Sequence, residues 1–173
     1  NPHTDILWNW IESAKTEVKE ELQYLGGNAA TLLCMLDKDA LAGKNLSGAV
    51  LEGANLSSAN LRGTNFKGTV LKEVNLVKAK LLERDLISAR VHNATISLYF
   101  YLIEKEEALR AKKVDELYKL MNVPGVDSLS IGFKSTLFGE MFGAVLLKVS
   151  DANSLKLIRG IVAIQPWIKA FSL

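Results

Sequence analysis

Large apolar residues recur at every fifth position through the middle of the chain: Leu41, Leu46, Leu51, Leu56, Leu61, Phe66, Leu71, Leu76, Leu81 and Leu86, with Val91 and Ile96 continuing the frame. Two positions ahead of many of them stands a small residue, as in Ala49, Ala54, Ala59, Thr64, Thr69 and Ala79. Asn directly precedes several (Asn45, Asn55, Asn60, Asn65, Asn75), and Gly follows by two at Gly48, Gly53, Gly63 and Gly68. A period of five cannot hold one face of an α-helix, because at about 100° per residue each repeat drifts roughly 140° around the axis. In extended backbone, positions two apart point the same way, so the large residue and its small partner both face inward. Turns at Asn and Gly then keep the inward side constant. The pattern predicts a coil of four short faces, about 20 residues per turn, stacked at about 4.8 Å. Stacking would align Leu46 with Phe66 and Leu86, Leu51 with Leu71 and Val91, Leu56 with Leu76 and Ile96, and Leu41 with Leu61 and Leu81.

The frame weakens after Leu71. Val74 and Arg84 occupy slots that should hold small residues. A charged Arg84 cannot point into so narrow an interior unpaired, so either a loop interrupts the coil there or Arg84 lies at its open end. The outward slot also changes character: Ser47, Glu52, Ser57, Arg62, Lys67 and Lys72 give way to Val77, Leu82 and Ile87. Outward apolar residues need a cover. Val77, Leu82 and Ile87 are therefore a candidate docking patch for another part of the chain, covered by the N-terminal helix through Trp8 and Trp10 or by a C-terminal helix. A protein partner is the competing occupant. The stretch A-N-L-S-S-A-N-L-R-G-T-N-F-K-G, within residues 40–96, resembles the pentapeptide-repeat family, whose pattern is A-(D/N)-L-x-x. That resemblance implies a right-handed quadrilateral β-helix.

Ahead of the repeat, residues 4–25 read as one amphipathic helix, with Leu7, Ile11, Ala14, Val18, Leu22 and Leu25 on one face, started by Thr4 or Asp5 and ended by Gly26-Gly27. Asn28 is placed to cap a second, short helix carrying Ala29, Leu32, Leu33 and Leu36. Such a helix suits the end of a stack, where unpaired backbone needs covering. Cys34 within it reads as buried and inert. The run L-G-G-N-A-A-T-L-L-C-M-L leading into the repeat is similar to a junction of bacterial NACHT/STAND-type signalling NTPases. That likeness implies a sensor or scaffold fragment of a larger signalling protein.

After the repeat the period changes. Residues 95–103 read as a strand, 104–122 as a helix with Leu109, Lys112, Val114, Leu117, Leu120 and Met121 supplying or flanking its buried stripe, and 128–133 and 144–149 as two strands. Asp151 or Asn153 starts a last helix reaching Ile164, and 169–173 form a final strand. The order strand-helix-strand-strand-helix-strand predicts a ferredoxin-like α+β module with both helices on one face of an antiparallel sheet. The segments V-D-E-L-Y-K-L-M-N-V-P-G-V-D-S-L-S-I and G-A-V-L-L-K-V-S-D-A-N-S-L-K-L-I are similar to the ligand-sensing half of leucine-responsive regulatory proteins, although no DNA-binding helix-turn-helix precedes them; the resemblance implies a homodimer through the C-terminal sheet and binding of an amino-acid-like small molecule. The mixed α and β chain thus divides into a helical cap (1–37), the repeat β-helix (38–94) and the C-terminal module (95–173).

Composition adds exclusions. A net charge of +2, from 21 basic and 19 acidic residues, gives no dedicated nucleic-acid surface. One cysteine excludes an intrachain disulfide and points to a reducing, cytoplasmic setting. No apolar run approaches the roughly 20 residues of a membrane span. The chain opens on Asn1-Pro2-His3 with no signal peptide and no initiator Met, which points to a fragment of a longer protein or a processed chain. His3, His92 and Cys34 are scattered, and there is no G-x-x-x-x-G-K-[ST] loop. The expectation is a non-enzymatic interaction and regulatory module without metal or cofactor, partnered by a protein or by further domains of a parent chain. The alternative is small-molecule sensing through the C-terminal module.

Overall fold

The computed structural model describes residues 2–15, 19–102, 106–136, 140–165 and 167–169. Helix and strand are mixed, with five α-helices and two sheets among the described residues. The repeat stacks on itself. Parallel bridges join Asn45 to Asn65, Val50 to Val70, Asn55 to Asn75 and Asn60 to Lys80, each a step of 20 residues (65 − 45 = 20). Strand β1 (Val70–Lys72) continues the ladder by pairing in parallel with β2 (Arg90–His92). Leu41, Leu46, Leu51, Leu56, Leu61, Phe66, Leu71, Leu76, Leu81 and Leu86 are all buried in one continuous core.

The polar residues of the repeat build its corners. Asn45, Asn55, Asn60, Asn65 and Asn75 each accept, through Oδ1, the backbone N–H two residues on, at 3.0–3.3 Å. Asn65 Nδ2 also donates to Asn45 Oδ1 one coil away, at 3.0 Å. The corner slot needs left-handed backbone. Gly53 meets this with φ +70°, whereas Ser58, Glu73 and Lys78 hold the same slot at +61°, +56° and +61°. Thr64 and Thr69, in the small inward slot, are buried with hydroxyls donating to the carbonyls of Leu41 and Leu46, both at 2.7 Å. A buried hydroxyl is tolerated only with such a partner.

The frame breaks where the sequence weakens. A helical turn, which we call α3 (Glu83–Leu86), interrupts the coil and carries an exposed Arg84 outward while Leu86 stays buried. Of the two options for Arg84, the interruption is what the fold adopts. The ladder resumes with the Gly68 N–H on the Ser88 carbonyl at 2.7 Å.

The single N-terminal helix expected over 4–25 is not formed. Instead α1 (Pro2–Ser13) is followed by a 3₁₀ turn (Glu20–Leu22) and α2 (Leu25–Leu36), and α1 packs on α2. Val18 lies outside the described residues; Leu22 is exposed. Gly26 and Gly27 do not end a helix but open one, and Tyr24 rather than Asn28 is its N-cap. The reason is close approach: a Cβ on Gly26 would sit 2.2 Å from the Val50 carbonyl oxygen, and one on Gly27 2.1 Å from that of Glu52. Helix α2 thus lies directly on the first coil. The Thr31 hydroxyl takes the Asn55 N–H at 2.9 Å and donates to the Gly27 carbonyl at 2.8 Å, and the Asn60 N–H reaches the Lys38 carbonyl at 2.7 Å. Coil-edge groups are satisfied in this way by the cap.

The C-terminal part contains β3 (Ala94–Leu102), α4 (Glu107–Tyr118) with a 3₁₀ turn (Lys119–Asn122), β4 (Val126–Ser135), β5 (Met141–Val149), α5 (Ala152–Ala163) and β6 (Ile168–Lys169). The sheet order is β4-β5-β3-β6, with every pair antiparallel. Asp151 caps α5, its side chain accepting the Asn153 N–H at 2.8 Å. The stripe expected on the first helix is only partly used: Leu117 and Leu120 are buried and Val114 packs on the core, but Leu109 and Met121 are exposed, and the helix tightens into 3₁₀ geometry from Lys119. Ile103, Gly139, Pro166 and the end of the expected last strand, 170–173, lie outside the described residues.

Repeat and sheet share backbone. Thr95 in β3 donates its N–H to the Val74 carbonyl at 2.9 Å and accepts the Leu76 N–H at 2.8 Å, while β3 pairs along its length with β5. The Lys78 N–H bonds to Ser97 Oγ at 3.1 Å, and the Asn93 N–H to Ser150 Oγ at 3.0 Å. Ser150 in turn donates to the Asp127 carboxylate.

Candidate interaction surfaces

The patch singled out in the repeat is only partly covered. Val77 and Leu82 are half-buried, and α3 meets α5 of the C-terminal part, but Ile87 is 50% exposed. Ile87 is therefore removed from the internal dock. Its slot follows the helical turn Glu83–Leu86, so it no longer shares a coil corner with Leu82. The halves are joined mainly by the ladder at Thr95, which side-chain periodicity does not reveal. Helix α1 does not cover this corner. Its Trp8 packs on the core with the Lys44 ammonium 5.9 Å from the ring centroid, a cation–π distance.

A different apolar surface stands at the capped end. Ile6 and Trp10 of α1 and Leu32, Met35 and Leu36 of α2 flank a cavity of about 470 Å³ with His3 at its rim. Met35 is 72% and Leu36 66% exposed, and Ile6, Trp10 and Leu32 are also exposed. Helix α2 is apolar almost all round. Gly26, Gly27, Ala29, Ala30, Leu33 and Cys34 are its buried positions, so Leu32, Met35 and Leu36 face out. Of the apolar residues expected on this helix, Ala29 and Leu33 are buried while Leu32 and Leu36 are exposed. The missed signal was the all-round apolarity itself, since a helix with one buried face must show the other.

Among the described residues nothing assembles as chemistry. No three His, Cys, Asp or Glu side chains converge to hold a metal ion. His92 is exposed, as are Glu20, Glu21, Glu106 and Glu107. Burial, outweighing the nearby Lys38, pushes the Cys34 thiol up to about 11, which suppresses thiolate formation. Buried Glu52 pairs with Lys72 at 2.6 Å across one coil step, and the hydrogen bond that the Lys72 ammonium donates to this carboxylate holds the ammonium above its usual range. No described helix is long and apolar enough to cross a membrane.

The stacking step, the buried leucines and the Asn corners together decide the relationship of the middle segment. Residues 45–81 match the pentapeptide-repeat family in eight copies. The pentapeptide repeats thus fall on the stretch where the ladder and the Asn corners are regular, and the match ends just before the turn at Glu83. Pentapeptide-repeat proteins are commonly protein-interaction modules. No curated protein and no solved structure matches the chain significantly.

Proposed function

We propose that this chain is a non-enzymatic protein-interaction module, built on a right-handed quadrilateral β-helix of pentapeptide repeats and working in the cytoplasm as a sensor or scaffold piece of a larger bacterial signalling protein. The 20-residue step supports the β-helix, being four repeats of five. The order β4-β5-β3-β6 supports a ferredoxin-like module at the C-terminal side. The likeness of the α2 segment to a NACHT/STAND-type junction supports the signalling context. The observation that carries the interaction reading is the exposed apolar face of the cap, Ile6, Trp10, Leu32, Met35 and Leu36, arranged as a groove between two helices. Such a groove takes the apolar stripe of a partner helix.

A photo-crosslinking amino acid at position 35, used in cells expressing the protein, tests this. The expected result is crosslinking to one defined partner, abolished by Leu32→Lys with Leu36→Lys while the melting temperature is kept. Crosslinks that scatter over unrelated proteins, or that persist in the double variant, refute the reading.

A further inference from the structure

We propose that the open face of the C-terminal sheet carries a binding groove for a flat aromatic carboxylate. The inference goes beyond the interaction reading and does not depend on it, since the cap groove lies on the first coil and this sheet joins the last.

Antiparallel partners directly opposite one another point to the same face. The face bearing Leu98, Val145 and Leu147 is buried against the rest of the module. The opposite face carries two rows: Lys134–Phe142–Tyr101, and beside it Gly132–Ala144–Tyr99. The first row is a cation followed by two rings. The second begins with two residues too small to fill their places. A Cβ built on Gly132 would meet nothing within 4 Å, so the sheet surface is recessed there. The result is a cavity of about 610 Å³ lined by Tyr99, Gly132, Lys134, Phe142 and Ala144 among others, within the range of about 300–1,000 Å³ for small-molecule sites.

The recess sets the ligand's shape and the rim sets its charge. Phe142, 46% exposed, and Tyr99 stand beside the Gly132–Ala144 floor, so a planar ring can lie on the backbone and pack against their faces. Lys134 is exposed, and its ammonium makes no hydrogen bond or ion pair with any described residue. Glu140, just before β5, is bonded by the Tyr101 phenol, whose pKa is raised first by that hydrogen bond. The groove therefore offers one uncommitted cation at the end of an aromatic slot, which matches a carboxylate on a flat ring.

The test is calorimetric titration of the full chain with indole-3-acetate, and with its neutral counterpart indole-3-ethanol. One saturable site per chain is expected for the acid, with at least tenfold weaker binding of the alcohol. Lys134→Met should weaken the acid at least tenfold and leave the alcohol unchanged. Gly132→Leu, which fills open space in a strand, should weaken both. Circular dichroism and melting establish that each variant is folded. Absence of saturable binding by the parent, equal affinity for acid and alcohol, or unchanged affinity in both folded variants overturns the proposal. So does a parent dimer that Phe142→Arg disperses, which makes the face an interface between two copies.

Discussion

One pair of substitutions isolates how the cap meets the stack. Gly27 and Gly160 both lie inside α-helices, where Ala is favoured over Gly by about 1 kcal/mol. Gly160 is exposed in α5 and a Cβ there meets nothing within 4 Å. Gly160→Ala should stabilise by about 1 kcal/mol, raising the melting temperature by about 2–4 °C. At Gly27 the same Cβ would stand 2.1 Å from the Glu52 carbonyl oxygen and 3.1 Å from its carbon. The obstacle is backbone fixed in a ladder, so α2 must lift by about 0.9 Å to restore even a 3.0 Å contact. Overpacking of this kind costs about 1–3 kcal/mol. The lift also stretches the bond between Thr31 and the Asn55 N–H, now 2.9 Å, worth about 1 kcal/mol. Against the helix-propensity gain, Gly27→Ala should destabilise by about 1–3 kcal/mol, the opposite sign from Gly160→Ala. Urea unfolding followed by circular dichroism measures both. If Gly27→Ala matches or exceeds the parent in midpoint with an unchanged slope, α2 does not lie on the coil at this distance.

Leu61→Asp or Phe66→Asp places an unpaired carboxylate in a side-chain position less than 2% exposed; a loss of several kcal/mol is expected, read as a collapsed melting transition, and an unchanged transition would contradict the inward register. Glu73→Gly and Lys78→Gly relieve left-handed backbone at φ +56° and +61°, where a side chain costs about 1–2 kcal/mol and Gly loses part of that gain to chain entropy; each should stabilise by about 0.5–1 kcal/mol in denaturant titration. Cys34 should resist thiol reagents at pH 8 until the protein unfolds. Its pKa is raised from 9.0 to about 11, so above pH 9 the unfolded chain loses this proton first and stability falls until about pH 11; Cys34→Ala should remove that part of the slope.

The repeat was legible because its signal is redundant. The five-residue frame, the small inward slot and the Asn corners each repeat many times, and each has a separate physical cause. The order of elements after residue 94 was legible from alternation and from the Asp151 cap. What the sequence concealed are features that depend on tertiary neighbours. Gly26-Gly27 is a helix stop by local rules and becomes a helix start only because Val50 and Glu52 pass within contact distance. Leu32 and Leu36 fit a core stripe, yet the helix already buries Ala29, Ala30, Leu33 and Cys34 against the stack. Ile87 looked like part of an apolar run until a helical turn displaced its corner. The open-face groove needed register: nothing in the one-dimensional pattern places Lys134 beside Phe142, or Gly132 beside Ala144.

The strand shared at Thr95 turns the repeat into a protractor. In the proposed four-faced coil the chain advances one face per five residues; the bridges join positions 20 residues apart, and β3 would leave along whichever face the last repeat occupies. An insertion of one pentapeptide upstream would swing the whole sheet a quarter turn about the stack axis, whereas an insertion of 20 residues would lift it by one rung with its bearing kept. In that geometry the angle between the cap groove and the sheet would be quantised by repeat number, and chain-length variation in the repeat would have two distinct effects, rotation and height.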